Sequence, residues 1–343
     1  MGSSRKRPQL SSQAHQKARL LDIIRRFDSA HILVLGDFIL DEFVWGQVER
    51  ISPEAPVPVV NVQRQSFMPG GALNVAHNIR TLKGIVYPCG VVGRDLHGRM
   101  LVREIRKQKI ETGGVIYDRD RPTTLKTRVI AHSQQVVRFD REKGSDLKPV
   151  DAGAILKFVR QSIEKAKVVI IEDYGKGVVT PALIQKVLTL CRKKRIPVVV
   201  DPKEKHFLYY RGVTAITPNK KEAFSAYASL FNKEGSSIES VGKGLLQKLN
   251  CQAVVMTLGE DGMAVFEKGG RMTKVPTAAR EVYDVSGAGD TVIAVLGLAL
   301  AAGATMKDAA WLANVAAGVV VGKLGTASLV QKELTGALKE HVR

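Results

Sequence analysis

The chain is poor in cysteine. Its three, Cys89, Cys191 and Cys251, lie far apart in 343 residues with no C-x-x-C pair. That excludes a disulfide-stapled framework and a thiolate zinc site, and it fits buried thiols in a reducing compartment. Long apolar runs are also missing. The longest, Val292 to Ala302, stops at Gly303, short of the roughly 18 residues a membrane span needs. Met1 to Leu20 is basic and polar with no apolar stretch behind the charges, so no secretory signal is expected there. These absences predict a cytoplasmic protein without a membrane partner. Acidic residues are in deficit: 33 Asp+Glu face 52 Lys+Arg, a net charge of +19. Residues 1–29 hold seven Lys/Arg against two Asp/Glu and read as a basic N-terminal extension or helix ahead of one domain over 30–343. The rest of the excess is scattered, in pieces such as Arg192-Lys193-Lys194-Arg195 that suit a solvated helix end. Such a surplus draws anions from a distance. No C2H2 spacing or basic–aromatic interleaving goes with it, so no specific nucleic-acid partner is expected.

Common catalytic signatures are absent as well. No H-E-x-x-H, G-x-S-x-G or H-R-D string occurs, and the seven histidines show no ligand spacing. The nearest approach to a Walker A loop, Gly318-Val-Val-Val-Gly322-Lys323-Leu324, has three residues between its glycines and no hydroxyl residue after the lysine.

What is present is an alternation of strands and helices. Apolar runs at His31–Leu35, Ile85–Val92, Lys167–Ile171, Pro197–Val200 and Gln252–Thr257 read as buried strands. Helical periodicity marks Gly71–Leu82, Gly98–Gln108, Pro181–Lys194, Gly287–Ala302, Met306–Gly322 and Gln331–Glu340. The pattern predicts an α/β fold, a doubly wound, mostly parallel sheet flanked by helices. Two stretches break the rhythm by alternating polar and apolar residues: Phe43–Phe67, with Pro53, Pro56 and Pro58, and Thr123–Phe139. They read as solvated antiparallel or edge strands forming a small β-sheet lid, over about 43–67 and 123–139.

Five segments can carry chemistry. In Asp284-Val-Ser-Gly-Ala-Gly-Asp290-Thr291, small residues Gly287, Ala288 and Gly289 open an apolar helix, where backbone N–H groups and the helix dipole suit an anion. Asp290 there can accept a proton from a hydroxyl nucleophile, or merely cap the helix. In Pro69-Gly70-Gly71-Ala72-Leu73-Asn74, two glycines let backbone approach a ligand, and Asn74 offers a donor and an acceptor. Asp37 and Asp41 follow the first strand, at the sheet edge where open α/β folds bind ligands, and carboxylates suit sugar hydroxyls. Thr217-Pro-Asn219-Lys-Lys-Glu222 fits a capping box, or a magnesium site reached through waters. Thr257-Leu-Gly259-Glu-Asp-Gly262 is a tight turn between two strands.

In this order the segments resemble the ribokinase-like, phosphofructokinase-B type carbohydrate kinases. Gly70-Gly71-Ala72-Leu73-Asn74 matches the N-terminal signature. Asp284 to Asp290 matches the C-terminal one, with Val285 where threonine is usual. Asn219 to Glu222 matches the N-x-x-E element, and the helix around Asn314 matches the adenine side. Within that family, Gly36-Asp37-Phe-Ile-Leu-Asp41, Arg50 to Val59, Glu172-Asp173-Tyr-Gly-Lys176-Gly177 and Asp201-Pro-Lys203 are most similar to D-glycero-β-D-manno-heptose-7-phosphate kinases. Glu204 and His206 depart from that pattern, where glycine and aspartate are usual.

The resemblance implies an ATP-dependent sugar kinase in which Asp290 is the base and the Gly287–Gly289 amides steady the moving phosphoryl group. It implies a sugar phosphate held by Asp37, Asp41, Gly70, Gly71 and Asn74, with Arg128, Arg138, Lys176 and Lys203 as candidates for its phosphate. ATP would lie across Asn219, Glu222, Thr257, Gly259, Gly262 and Asn314. Mg²⁺ would be held by Asn219 and Glu222 through water, with K⁺ as the monovalent ion to test. It also implies a homodimer formed through the lids, and the chain ends where some relatives carry a nucleotidyltransferase, so a kinase-only protein is expected. The alternatives are a kinase for another sugar and a non-catalytic sugar- or nucleotide-binding regulator.

Overall fold

The first apolar run, HILVL, has no polar face, so its strand must be covered on both sides. In the computed structural model it is β1 (His31–Gly36), paired in parallel with β4 (Ile85–Gly93) on one side and β8 (Val168–Glu172) on the other. The structure describes residues 12–132, 134–270, 272–279, 282–323 and 327–341. Ahead of β1 lies α1 (Ser12–Arg25). Residues 1–11 of the basic extension lie outside the described residues. In the remainder, Leu20, Ile23 and Ile24 of α1 are buried in the core.

The chain leaves β1 into β2 (Phe38–Ile51) and β3 (Pro58–Gly71), then α2 (Ala72–Thr81), β4, α3 (Leu96–Lys107) and β5 (Gly114–Asp118). A second excursion follows, β6 (Thr124–Ala131) and β7 (Gln134–Arg141), then α4 (Pro149–Ser162), β8, α5 (Pro181–Lys194), β9 (Val198–Asp201) and β10 (Ala215–Ile216). Next come α6 (Lys220–Phe231), α7 (Ile238–Leu249), β11 (Ala253–Thr257), β12 (Met263–Glu267), β13 (Thr273–Val275), α8 (Ala288–Ala301), α9 (Met306–Val320) and α10 (Gln331–His341). Among the described residues the main sheet has nine strands, ordered β13-β12-β11-β10-β9-β8-β1-β4-β5. It is parallel from β5 to β11, and β12 and β13 close the edge antiparallel.

Helices cover both faces. Residues from α1, α2, α3, α8, α9 and α10 share one buried cluster, and α4, α5, α6 and α7 supply the other. Local signals set the ends of α5: Pro181 opens it, the Thr180 hydroxyl caps the Leu183 N–H, and Arg195 closes it in the left-handed region. Winding outward from β1 in both directions places a topological switch between β1 and β8, and ligands bind at the carboxyl ends there.

The two excursions form a separate four-stranded sheet, β3-β2-β6-β7. The expectation of antiparallel strands holds for β2–β3 and β6–β7 and fails at the centre, where β2 and β6 run parallel from Ile39↔Thr124 to Gly46↔Ala131. Both strands leave the carboxyl edge of the main sheet after parallel strands, β1 and β5, so they leave in the same direction. The strands also reach further than the sequence suggests. Pro53 and Pro56 sit in the connection, and Pro58 begins β3, where no ladder N–H is required.

Candidate active site

Helix α8 is apolar around its whole circumference and buried from Asp290 to Ala299, so it runs through the core and exposes only its start. Gly287 holds φ +76 and turns the chain into that helix. The first N–H groups of a helix have no intrahelical acceptor. Here the Ala288 N–H turns back to the Val285 carbonyl at 3.2 Å, so of the three residues proposed as an anion loop Ala288 is spent locally. Gly289 lies closest to Asp201: a Cβ built on it would stand 3.7 Å from an Asp201 oxygen.

Asp290 follows, 5% exposed. One oxygen accepts from Asn74 Nδ2 at 2.5 Å and the other from the Tyr174 hydroxyl at 2.9 Å. Burial drives its pKa up to about 6; the two donors and the charge of Lys126 hold it down, and Asp41 pushes it up. Asn74 is itself braced, since its backbone carbonyl accepts from Asn78 Nδ2 at 3.0 Å and its side-chain oxygen from the same nitrogen at 3.4 Å. Burial, and then the charge of Asp290, raise the Tyr174 pKa well above its ordinary value, so this phenol is a donor that keeps its proton.

The other substrate candidates gather around this point. Gly71, at φ +57, brings α2 to the β1 exit, and the Ala72 N–H bonds the Asp37 carbonyl at 3.0 Å. The Asp37 carboxylate is not free for a sugar as the sequence suggests. It accepts the amides of Tyr174 (2.9 Å), Lys176 (3.0 Å) and Val178 (3.1 Å) and thereby shapes the loop after β8. Asp41 pairs with Arg128 at 2.5 Å, and a Cβ at Gly70 would collide with its other oxygen, so Gly70 is required by Asp41. Lys176 pairs with Glu142 at 2.6 Å, Arg138 pairs with Asp140 at 3.1 Å, and the Lys203 stem packs beside Gly175.

The nucleotide candidates form a chain of contacts across the sheet edge. Asn219 and Glu222 close a reciprocal capping box, each side chain accepting the other's N–H at 2.9 Å. Asn219 bridges Thr257, whose turn includes Gly259 at φ +63 and Gly262 at φ +82. A Cβ at Gly262 would strike the backbone of Val275–Thr277, and Asn314 Nδ2 bonds the Pro276 carbonyl at 2.7 Å. Asn314 is therefore tied to this segment instead of pointing to a base. Beside it, Ala278, Tyr283, Gly318, Val319 and Gly322 help line a groove of about 330 Å³.

Two acids carry more of the site than the sequence suggests. Glu172, Asp201 and Asp290 each place an oxygen within 4.8 Å of the others. Glu172 is fully buried and neither of its oxygens has a hydrogen-bond donor. Burial, and then Asp201, push the Glu172 pKa well up; burial, and then Glu222, do the same to Asp201. An orphaned carboxylate beside two more is a set of hard oxygen donors suited to a divalent cation. Glu172 and Asp201 sit in strings that the sequence marks only by resemblance, at the ends of β8 and β9, and their convergence depends on the parallel pairing Glu172↔Asp201.

A model of the pfkB family of carbohydrate kinases matches residues 29–333. The chain belongs to that family. Among curated proteins, this pfkB-family chain is 45% identical over 306 residues to a bifunctional protein HldE of Geobacter sulfurreducens, covering 89% of this chain and 62% of that protein. It is 44% identical over 315 residues to the bifunctional protein HldE of Desulfatibacillum aliphaticivorans, covering 92% and 64%. The chain thus spans somewhat under two thirds of the length of these relatives. Solved structures share the fold. Escherichia coli phosphofructokinase-2 in complex with substrates and products superposes with a TM-score of 0.74 at 17% identity, over 92% of this chain and 100% of that one. Arabidopsis thaliana ribokinase complexed with ribose and ATP gives 0.70 at 18%, over 90% and 98%.

Proposed function

We propose that the chain phosphorylates the anomeric hydroxyl of D-glycero-β-D-manno-heptose 7-phosphate with ATP, yielding the 1,7-bisphosphate and ADP. The observation that carries this reading is Asp290: a buried carboxylate at the mouth of α8, both oxygens oriented by Asn74 and Tyr174. In phosphoryl transfer the protein mainly positions the groups and stabilises charge. Asp290 takes the hydroxyl proton as the oxygen attacks phosphorus. The N–H groups and dipole of the first turn of α8 face the charge on the moving group. ATP lies across the Asn219, Thr257–Gly262 and Pro276–Asn314 contacts, with its base in the groove at Gly318. Glu172 and Asp201, with Asn219 and Glu222 through water, would hold Mg²⁺, which neutralises phosphate charge. K⁺ is the monovalent ion to test.

The departures at Glu204 and His206 are absorbed locally. His206 Nδ1 bonds the buried Asp173 at 2.7 Å, and Glu204 accepts from Ser225 at 3.4 Å. This favours an unchanged sugar site. The lid sheet exposes Val136, Val137 and Phe139, and a second copy covering this surface makes a homodimer. The proposed use of ATP and a sugar phosphate fits a cytoplasmic reaction. Among the described residues no helix is long and apolar enough to cross a membrane.

The test is ADP release with a panel of heptose 7-phosphate, fructose 6-phosphate, ribose and ketogluconate. Preference for the heptose phosphate supports the reading, and preference for another sugar replaces it. Light scattering at micromolar concentration tests the dimer: a monomeric mass overturns it.

A further inference from the structure

Strand β6 lies in the middle of the lid, with β2 on one side and β7 on the other. Directly opposed residues of neighbouring strands share a face. Lys126 opposes Asp41 on β2 and Asp140 on β7, and Arg128 opposes Phe43 and Arg138. Lys126, Arg128, Arg138, Asp41 and Asp140 therefore lie on one face of the lid. That face looks into the cleft: Lys126 Nζ stands 5.4 Å from the ring of Tyr174, whose hydroxyl holds Asp290.

The cations of this region differ in one respect. Arg128 is committed to Asp41, Arg138 to Asp140 and Lys176 to Glu142. Lys126 has no carboxylate within 4.0 Å among the described residues, although it is only partly exposed. Burial lowers its pKa; the charge of Asp140 and then that of Asp41 raise it, while Lys176 and Arg138 lower it. Asp41 and Asp140 lie opposite it, but each is paired with an arginine, so this half-buried ammonium beside Lys176 and Arg138 is left open to an incoming anion.

We infer that Lys126 is the lid's receptor for the phosphate that the sugar substrate brings with it, and so selects phosphorylated over unphosphorylated sugar. This rests on the sugar-phosphate reading above. The phosphoryl group in transit has the α8 mouth and the acidic cluster's cation for its charge; the substrate's own phosphate must be met from the lid side, where Lys126, Lys176 and Arg138 converge. A lysine on a strand that closes over the cleft also ties the arrival of the phosphate to the exclusion of water.

The experiment compares wild type, Lys126→Met and Lys126→Arg on heptose 7-phosphate and on the same heptose without phosphate. Methionine keeps the stem over Tyr174 and removes the charge, and circular dichroism checks that the variant is folded. Because the Lys126 charge also lowers the Asp290 pKa, rates are compared at pH 8, well above its value near 6. There the inference expects KM for the phosphorylated sugar to rise at least tenfold in Lys126→Met, a rise absent with the unphosphorylated sugar, with partial rescue by arginine. An unchanged KM overturns it. An equal fall of kcat on both sugars also overturns it, placing Lys126 on the transferring phosphoryl group. A wild type inactive on the heptose phosphate overturns the choice of sugar instead. Lys126 is then judged by thermal shift with inorganic phosphate, which should stabilise wild type and leave Lys126→Met unmoved; an equal shift in both sinks the assignment.

Discussion

Asn74 and Asp290 stand 216 positions apart in the sequence and meet in a 2.5 Å hydrogen bond in the core of the site. One opens α2 just after the lid strand β3, and the other opens α8. Their contact joins the sugar side of the cleft to the phosphoryl side. A hydrogen bond from a neutral amide favours the ionised carboxylate, so Asn74 keeps a buried acid charged.

A pH dependence follows. With the Asp290 pKa near 6, kcat/KM falls as the solution is acidified through that value, because the protonated acid cannot accept the sugar proton. Tyr174→Phe and Asn74→Ala each remove a donor to the charged form, so each moves the acid limb upward. Initial rates from pH 5 to 8 measure the limb, and a limb that stays in place in both variants contradicts the assignment.

The acidic cluster makes a prediction about stability. The folded-state pKa values of Glu172 and Asp201 are raised, so the folded protein binds protons more tightly than the unfolded chain. Without divalent ions, stability falls as pH rises from the ordinary carboxylate range through the folded values. Glu172→Gln removes one charge of the set. It should raise Tm in EDTA by a few degrees, about 1 kcal/mol of relieved repulsion, and flatten the pH dependence. The same variant should lose most of the Mg²⁺-dependent rise in Tm seen in wild type. Differential scanning calorimetry with and without Mg²⁺ reads all three.

The Arg128–Asp41 pair joins the two central strands of the lid sheet, β2 and β6. Asp41 is 7% exposed and its partner arrives from β6. Arg128→Ala leaves a buried carboxylate uncompensated and should destabilise the protein by about 3 kcal/mol. Asp41→Asn combined with Arg128→Ala should recover part of that loss. Urea unfolding of the three variants checks the sign of the coupling.

Much of this architecture is legible in the sequence because buried parallel strands are apolar runs, as at His31–Leu35 and Lys167–Ile171. The weakly patterned elements are not. The two-residue β10 is too short to show a period, and α7 carries Gly242 and Gly244 where a helix would be doubted. At the site, glycines and a cap motif announce Asp290, Gly71 and Asn219. The role of Asp37 is hidden, because its three amide donors lie more than 130 positions away. Glu172 is hidden for the same reason: its lack of partners is a property of the packed interior, and Lys126 looks in sequence like any other lid cation.

The claim on which the account turns is that the Asp290 carboxylate removes the proton of the attacking hydroxyl. Asp290→Asn preserves size and loses the base. Steady-state ADP release with heptose 7-phosphate and ATP, alongside calorimetric binding of ATP, is the direct measurement. The account predicts kcat reduced by about 10²- to 10⁴-fold with ATP affinity within a few-fold of wild type. Turnover near the wild-type rate in that variant would contradict it.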